Sequence, residues 1–202
     1  MKIVIASSNA HKIHEIKDNF SKDGGIYFFG MNEICPPMDI IENGATFEEN
    51  ALIKAREVAA VCSLPVLADD SGLCVDALGG EPGIYSARFG NCDSDTARND
   101  LLLRKMSGIP DNKRSARFIC VMALVLPDGR EFTAQGACEG FIIREKKGAK
   151  GFGYDPIFLV KNDTRTMAEL SLEEKNTISH RAIALDNIRF IISSLHSQES
   201  RS

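Results

Sequence analysis

The sequence predicts an α/β fold built around a mixed β-sheet. Segments whose apolar residues recur at helical spacing alternate with short β-branched, apolar runs along the chain. Two longer apolar runs, residues 116–126 and 131–143, are joined by Pro-Asp-Gly-Arg, which favours a hairpin turn. Alternating helices and strands together with one long hairpin are typical of a sheet that has both parallel and antiparallel pairs.

The first part of the chain predicts two strands and a helix. Residues 2–7 (KIVIAS) are β-branched and apolar, and they predict a buried strand. A helix over residues 9–20 follows directly, because its apolar side chains recur at helical spacing. Residues 26–30 predict a second strand. Residues 35–45 contain two prolines and a glycine, so they predict a loop.

The next predicted elements are a long helix and a short strand. Residues 46–62 predict a helix, with Thr46 and Glu49 at the spacing of a capping box. Residues 66–69 (VLAD) predict a buried strand that ends in a carboxylate. Residues 93–108 predict another helix, capped by an Asp or a Ser.

The last third of the chain follows the predicted hairpin. Residues 151–158 (GFGYDPIF) are rich in glycine and aromatic residues. Residues 171–195 open with a capping box formed by Ser171 and Glu174, and they predict one or two helices. We find no internal repeat or low-complexity linker, so we expect a single domain over residues 1–202.

Composition narrows the class of protein. The 202 residues are 44% hydrophobic and 26% charged, as in ordinary globular proteins. The net charge of −4 and the lack of a basic stripe argue against a nucleic-acid polymer as partner. The first residues do not fit a signal peptide, no apolar run approaches a membrane span, and the six cysteines form no CxxC motif. We therefore expect a cytoplasmic protein with reduced thiols.

Two adjacent carboxylates, Asp69 and Asp70, are followed at once by Ser71 and Gly72. We expect the strand to end there and the chain to turn, with the glycine allowing a close approach to a ligand. The pair could be no more than a turn and a helix cap. Adjacent negative charges repel, however, and Glu42 in the preceding loop adds a third carboxylate, so the sequence predicts a compensating positive charge.

Lys54 is the clearest source of such a charge. It lies seven residues after Phe47, on the face of the predicted helix that also carries Ala51 and Val58. A lysine on an apolar face must either extend to water or meet an anion. The second alternative predicts a cleft that holds negative charge.

The junction SSNAHK lies where the first strand meets the first helix. The N-terminus of a helix offers free N–H groups and a positive dipole end, which together bind phosphate. Lys12 adds a charge one turn into the helix. Mg²⁺ prefers oxygen ligands, usually one or two carboxylates with water and substrate phosphates. Glu42 and Asp70 with a nucleoside triphosphate would complete such a site.

Histidines give a weaker indication. His11 and His14 have a spacing that can bind metal, but the sequence offers no third ligand nearby. The segment SHR, residues 179–181, falls inside the helical segment predicted over residues 171–195. It is either a solvated helix face or a set of donors directed at a ligand.

Five stretches, in order, resemble the inosine/xanthosine triphosphate pyrophosphatase family (HAM1-like, acting on non-canonical purine nucleotides). They are SSNAHK, TFEENALIKA, ADDSGLCVDALGGEPGIYSARF, GFGYDPIF and EEKNTISHRAIAL. The Maf-like nucleotide pyrophosphatases also begin with a strand and a Ser-rich loop, but their SxSPRR loop is absent here. A nucleotide-binding module without hydrolysis is the alternative of a different class.

The resemblance implies a long, bent mixed sheet flanked by helices, with two lobes and a nucleotide cleft between them. It implies a homodimer that hydrolyses dITP, ITP and XTP to the monophosphate and pyrophosphate with Mg²⁺. Water would attack the α-phosphorus. The sequence leaves open whether Asp69 or Asp70 is the base.

The resemblance also assigns residues. Glu42 and Asp70 would bind the metal, with Asp70 also a base, while Lys54 would reach the phosphates and Ser71 would contact substrate. The triphosphate loop would comprise Ser7, Ser8, Asn9, Ala10, His11 and Lys12. The base and ribose would be bound by Phe152, Gly153, Tyr154, Asp155, Lys175, His180 and Arg181.

Some details of these assignments stay open in the sequence. His11 stands where many members of the family have a small residue, which could reshape the phosphate loop slightly. Phe152 is either a ring that stacks on the purine or a core residue. Donors such as His180 and Arg181 would form hydrogen bonds with the 6-oxo group of a base. They would remain without an acceptor opposite the 6-amino group of adenine.

Overall fold

The computed structural model describes residues 1–199, so the last three residues of the predicted 1–202 domain lie outside it. The chain forms two compact units. The first comprises Met1–Asp70, Cys120–Gly136 and the described chain from Ala182 onward; the second comprises Ser71–Ile119 and Ala137–Arg181.

Six strands form one mixed sheet. The strands are β1 (Lys2–Ile5), β2 (Tyr27–Gly30), β3 (Val66–Val75), β4 (Ser115–Val125), β5 (Glu131–Ile142) and β6 (Phe158–Val160). Their order is β2-β1-β3-β4-β5-β6. β1 pairs in parallel with both β2 and β3, whereas β5 and β6 are antiparallel. The predicted α/β class with a mixed sheet is confirmed.

In the described part of the chain, four α-helices lie between the strands in sequence, and two follow the last strand. They are α1 (Ala10–Asn19), α2 (Met31–Ile34), α3 (Phe47–Cys62), α4 (Asp95–Lys105), α5 (Leu172–Ile178) and α6 (His180–Glu199). The predicted helices over residues 9–20, 46–62, 93–108 and 171–195 are confirmed, and the four-residue helix α2 was not predicted from the sequence. Among residues 1–199, no helix is long and apolar enough to cross a membrane.

The prediction that the third strand ends at Asp69 and turns at Ser71 and Gly72 is wrong. β3 continues without a break to Val75. It lies between β1 and β4 in the sheet, so it has a neighbouring strand on each side. Because hydrogen bonding to both neighbours favours extended backbone, the two aspartates lie within a central strand.

The predicted helical segment over residues 171–195 forms two helices, which is one of the two alternatives that the sequence left open. α5 begins with the predicted capping box, in which Ser171 Oγ accepts from the Glu174 N–H and the Glu174 carboxylate accepts from the Ser171 N–H. It ends at Ile178, and Ser179 adopts an extended conformation with ψ of 153°. His180 is therefore the first residue of α6 rather than a residue in mid-helix.

Each unit has its own hydrophobic core. In the first unit α1 and α6 pack on the sheet, and the core is built from residues such as Ile5, Ile16, Leu67, Met122 and Ile188. In the second unit α4 contributes to a core that includes Leu73, Leu102, Phe118, Tyr154 and Phe158. These cores fix the helices and strands that carry the candidate site residues.

Candidate functional site

The predicted phosphate loop forms the start of α1. Asn9 is the N-cap, and its Oδ1 accepts hydrogen bonds from the N–H groups of His11 at 3.0 Å and Lys12 at 3.4 Å. The Asn9 N–H in turn donates to Ser7 Oγ at 3.1 Å. Asn9 therefore holds the loop in shape, while Ser8, Ala10 and His11 are exposed beside it. This is the strand–loop–helix junction that the sequence predicts.

Lys12 reaches back from α1 to strand β3. Its Nζ lies 2.9 Å from Asp69 Oδ2. The Asp69 side chain is buried, and only 2% of the residue is exposed. A buried carboxylate needs a paired cation, so Lys12 compensates Asp69 and ties the start of α1 to the middle of β3.

Lys54 performs the same task for the second aspartate. Its Nζ lies 2.8 Å from Glu42 Oε2 and 3.6 Å from Asp70 Oδ1. Only 8% of Lys54 is exposed, so it meets anions instead of extending to water. The prediction of a compensating charge on this face of α3 is confirmed.

Asn50 is a site residue that the sequence analysis missed. It is fully buried on α3, and its Nδ2 donates to Asp70 Oδ2 at 3.1 Å. Its Oδ1 accepts from the Gly44 N–H at 2.9 Å, within the loop that also carries Glu42. Asn50 precedes Lys54 by four residues, so it lies on the same helix face, and that spacing is the one sequence signal for its role.

The environment of Asp70 shifts its proton affinity. Burial raises the pKa of the Asp70 carboxyl above its ordinary value. The positive charge of Lys54 and the hydrogen bond from Asn50 oppose this shift. The result is a carboxylate that binds a proton more readily than an exposed aspartate, which is what a general base requires.

The carboxylates next to Lys54 provide few protein ligands for a metal ion. Within residues 1–199, no group of three or more His, Cys, Asp or Glu side chains is arranged to hold a metal ion. Glu42 and Asp70 nevertheless both lie near one cation, the Lys54 ammonium. Two carboxylates gathered in this way fit the oxygen-rich, partly hydrated coordination that Mg²⁺ adopts with substrate phosphates.

In the second unit, Asp155 organises the loop after β5. Its Oδ2 accepts from Lys175 Nζ at 2.9 Å and from the Phe152 N–H at 3.2 Å. Both Asp155 and Lys175 are buried, so each charge stabilises the other. Gly151 has a positive φ of 76°, and a Cβ there would lie 2.0 Å from Asp155 Oδ2.

The Phe152 ring lies next to two cations. The centroid of the ring is 5.7 Å from Lys175 Nζ and 5.8 Å from the guanidinium carbon of Arg181. The ring is only half-buried, whereas the core of this unit is built from other side chains. These observations favour the stacking role of Phe152 over the core-packing alternative.

The Tyr154 side chain lies in the hydrophobic core of the second unit. It is buried there, and its hydroxyl donates to the Ser86 carbonyl at 2.9 Å. Burial raises the pKa of the phenol well above its ordinary value. Its side chain therefore anchors the loop between β5 and β6 to the core.

His180 and Arg181 meet different partners in the second unit. The His180 ring stacks on Phe118, with centroids 4.8 Å apart and planes inclined by 14°. Arg181 is almost fully buried, and its Nη2 donates to Ser71 Oγ at 3.0 Å. The predicted substrate residue Ser71 is thus in contact with a predicted base-binding residue.

The structure brings the predicted residues together in two clusters, one in each unit. The phosphate and metal cluster is formed by Lys12, Glu42, Asn50, Lys54, Asp69 and Asp70. The purine cluster is formed by Ser71, Phe152, Asp155, Lys175 and Arg181.

Comparison with known sequences supports one family. The family model described as the Ham1 family matches residues 3–190. A curated dITP/XTP pyrophosphatase of Desulforamulus reducens is 46% identical over 197 residues, which is 97% of this chain and 98% of the relative. The dITP/XTP pyrophosphatase of Symbiobacterium thermophilum is 48% identical over 184 residues, 91% of each chain.

Solved structures agree with this result. The Staphylococcus aureus Ham1 protein matches with a TM-score of 0.86 and 42% identity, over 96% of this chain and 99% of that one. A HAM1 protein from Coxiella burnetii matches with a TM-score of 0.86 and 41% identity over the same shares. Since sequence and structure match over almost the whole length, the chain belongs to the Ham1 family.

Proposed function

We propose that this protein is a pyrophosphatase for non-canonical purine nucleoside triphosphates, converting dITP, ITP and XTP to the monophosphate and pyrophosphate. The observation that carries the proposal is the buried Asp70 carboxylate, which is in contact with both Asn50 and Lys54. The relatives from D. reducens and S. thermophilum, named dITP/XTP pyrophosphatases, support the choice of substrate.

The reaction needs one base and a site for the triphosphate. Asp70 orients a water molecule and accepts its proton as the water oxygen bonds to the α-phosphorus. The bond from the α-phosphorus to the bridging oxygen then breaks, and pyrophosphate leaves with that electron pair. The raised pKa of Asp70 suits it to this proton transfer, whereas Asp69 is engaged with Lys12.

Glu42 and Asp70 are the residues that would hold Mg²⁺. When bound, the ion would neutralise phosphate charge and polarise the phosphoryl oxygens. Lys54, already adjacent to both carboxylates, turns its ammonium toward the incoming phosphates. The Lys12 ammonium and the N–H groups of Ser8 and Ala10, on the exposed side of the loop before α1, bind the remaining phosphate oxygens.

The purine cluster selects the base. Phe152 stacks on the purine with one face, and the cations beside it strengthen the contact. Arg181 and His180 supply donors for the 6-oxo group of hypoxanthine or xanthine. Adenine presents a 6-amino donor at that position, so its binding leaves buried donors unpaired, which is strongly unfavourable.

We also propose, from the family resemblance, that the protein acts as a homodimer in the cytoplasm. Size-exclusion chromatography with light scattering tests the assembly, because a dimer has twice the mass of the 22.1 kDa chain.

A direct assay separates this proposal from a binding module without activity. The purified protein is incubated with dITP and Mg²⁺, and pyrophosphate and dIMP are measured. Equal amounts of the two products support the proposal. Orthophosphate with dIDP would indicate a different bond cleavage, and bound but intact dITP would indicate a regulatory module.

A further inference from the structure

We propose that Asp95 and Asn99 on α4 are positioning residues that clamp Gly153 and so set the place of the Phe152 ring. The inference deepens the proposed function, since it concerns how the purine cluster is held. Neither residue belongs to the set that the sequence analysis selected.

The clamp consists of two hydrogen bonds to one residue. Asp95 Oδ2 accepts from the Gly153 N–H at 2.7 Å, and Asn99 Nδ2 donates to the Gly153 carbonyl at 3.0 Å. Asp95 and Asn99 are four residues apart, so they lie on the same face of α4. The N–H belongs to the peptide shared with Phe152 and the carbonyl to the peptide shared with Tyr154, so both peptide planes are fixed.

Gly153 has a backbone conformation that the two hydrogen bonds select from those open to glycine. Its φ of 63° lies in the left-handed region. A Cβ at this position would meet nothing within 4 Å, so close packing does not impose that conformation. The hydrogen bonds from α4 supply the constraint instead.

Asn99 is an unfavourable residue for a buried position, but its amide is suited to the hydrogen bond with Gly153. It is only 2% exposed, and its Oδ1 has no hydrogen-bond partner within the part of the chain that the structure describes. An unsatisfied acceptor in the interior is unfavourable, and leucine would fill the same space without it. The amide is therefore useful at this position for its Nδ2 donor, which holds Gly153.

Asp95 is itself held in place. Arg98 binds the other carboxylate oxygen of Asp95 and also donates to the Cys92 carbonyl at 2.9 Å. The acceptor that meets Gly153 is thus fixed to α4 and to the segment before it. A side chain supported in this way orients its partner more precisely than a mobile one does.

The position of Phe152 is linked to the clamp through the backbone that it shares with Gly153. The ring is half-buried and lies near two cations at more than 5.5 Å, which are weak contacts. Its backbone is held by the Asp155 carboxylate on one side and, through Gly153, by α4 on the other. Loss of the clamp should let the ring move and should weaken purine binding.

The test compares Asn99→Leu and Asp95→Ala with the wild type. Inosine monophosphate binding is measured by calorimetry, dITP turnover by steady-state kinetics, and amide hydrogen exchange over residues 152–155 by mass spectrometry. We expect exchange to quicken and Kd for inosine monophosphate and KM for dITP to rise by about fivefold to tenfold, as for one lost hydrogen bond. We expect kcat to change less.

Asp100→Ala is the matched control. Asp100 is next to Asn99 and its carboxylate pairs with Lys146 at 2.7 Å, but the pair lies at the surface. The control should match the wild type in exchange, Kd and KM. If Asn99→Leu also matches the wild type, or if it lowers Tm while exchange and Kd stay unchanged, the positioning role is overturned.

The proposed function fails in a different way. A wild type that does not hydrolyse dITP would contradict the function whatever the variants do. Hydrogen exchange still decides whether α4 holds Gly153, because that measurement needs no substrate.

Discussion

Lys12 Nζ lies 2.9 Å from Asp69 Oδ2, so the first of two adjacent aspartates has its own cation from α1. The second, Asp70, is paired with Lys54 from α3. Successive side chains of a strand point to opposite faces, so continuing β3 through both residues separates the carboxylates. The two negative charges are tolerated because each faces a different helix with its own lysine.

Asp70→Asn should remove activity and keep the fold. Asparagine has the same shape but cannot accept the proton from water, so we expect kcat to fall by about 100-fold or more. Because burial raises the pKa of Asp70, its ionised form lowers stability at neutral pH, and Tm should not decrease. Circular dichroism melting and dITP turnover at saturating Mg²⁺ measure both effects.

Asp69→Asn provides the comparison. It leaves the Lys12 ammonium beside a neutral amide in a buried place, so Tm should fall while some turnover persists. Near-normal turnover by Asp70→Asn together with an inactive Asp69→Asn would reverse the roles of the two residues.

Lys54→Met should make the protein depend on Mg²⁺ for stability. Methionine suits the apolar face of α3, but its introduction leaves Glu42 and Asp70 without their shared cation. We expect a lower Tm without metal, a larger rise in Tm on adding Mg²⁺ than in the wild type, and a higher KM for dITP. Differential scanning fluorimetry over a Mg²⁺ series measures the shift. An equal response to Mg²⁺ in both proteins would show that these carboxylates do not bind the ion.

Arg181→Ala should reduce the preference for dITP over dATP. Loss of a charge-assisted bond to the 6-oxo group, about 1.5–3 kcal/mol, should lower kcat/KM for dITP by roughly 10-fold to 100-fold. Adenine does not gain that bond, so kcat/KM for dATP should change little. Ser71→Ala, which removes the hydroxyl that Arg181 contacts, is the control for altered orientation of the guanidinium. Equal losses for both nucleotides would place Arg181 at the ribose or phosphate.

The start of α5 should make stability depend on pH in the acid range. Glu174 accepts from the Ser171 N–H and pairs with Arg165, and the pKa of its carboxyl is lowered from 4.5 to about 2. A lowered pKa means that this stabilisation is present above the ordinary value and is lost as pH falls toward 2. Glu174→Gln should therefore flatten the fall in Tm between pH 5 and pH 2. Glu173→Gln, an exposed neighbour on α5, should keep the wild-type slope; a wild-type slope in Glu174→Gln would contradict the prediction.

The sequence was sufficient to predict those elements whose structure is determined by local patterns. Helix α3 and its charged residue on the buried face followed from helical spacing, and the anionic partners of Lys54 confirm that reasoning. The capping box at Ser171 and the hairpin between β4 and β5 followed from local chemistry in the same way.

Long-range pairing explains what the sequence missed. The extension of β3 past Asp70 depends on neighbouring strands that are distant in the chain. Asn50 resembles an ordinary polar helix residue in the sequence. Its role is visible only in the fold, where its Oδ1 meets the Gly44 N–H and its Nδ2 meets Asp70. The role of Asn99 likewise appears only when residue 153, 54 positions away, is seen beside it.

The most direct test of the central claim is pyrophosphate release from dITP by the wild type and by Asp70→Asn, measured side by side with Mg²⁺. We expect one pyrophosphate for each dIMP formed by the wild type, and turnover lower by about 100-fold or more in the variant. Equal turnover by the two proteins would contradict this claim, as would release of orthophosphate in place of pyrophosphate.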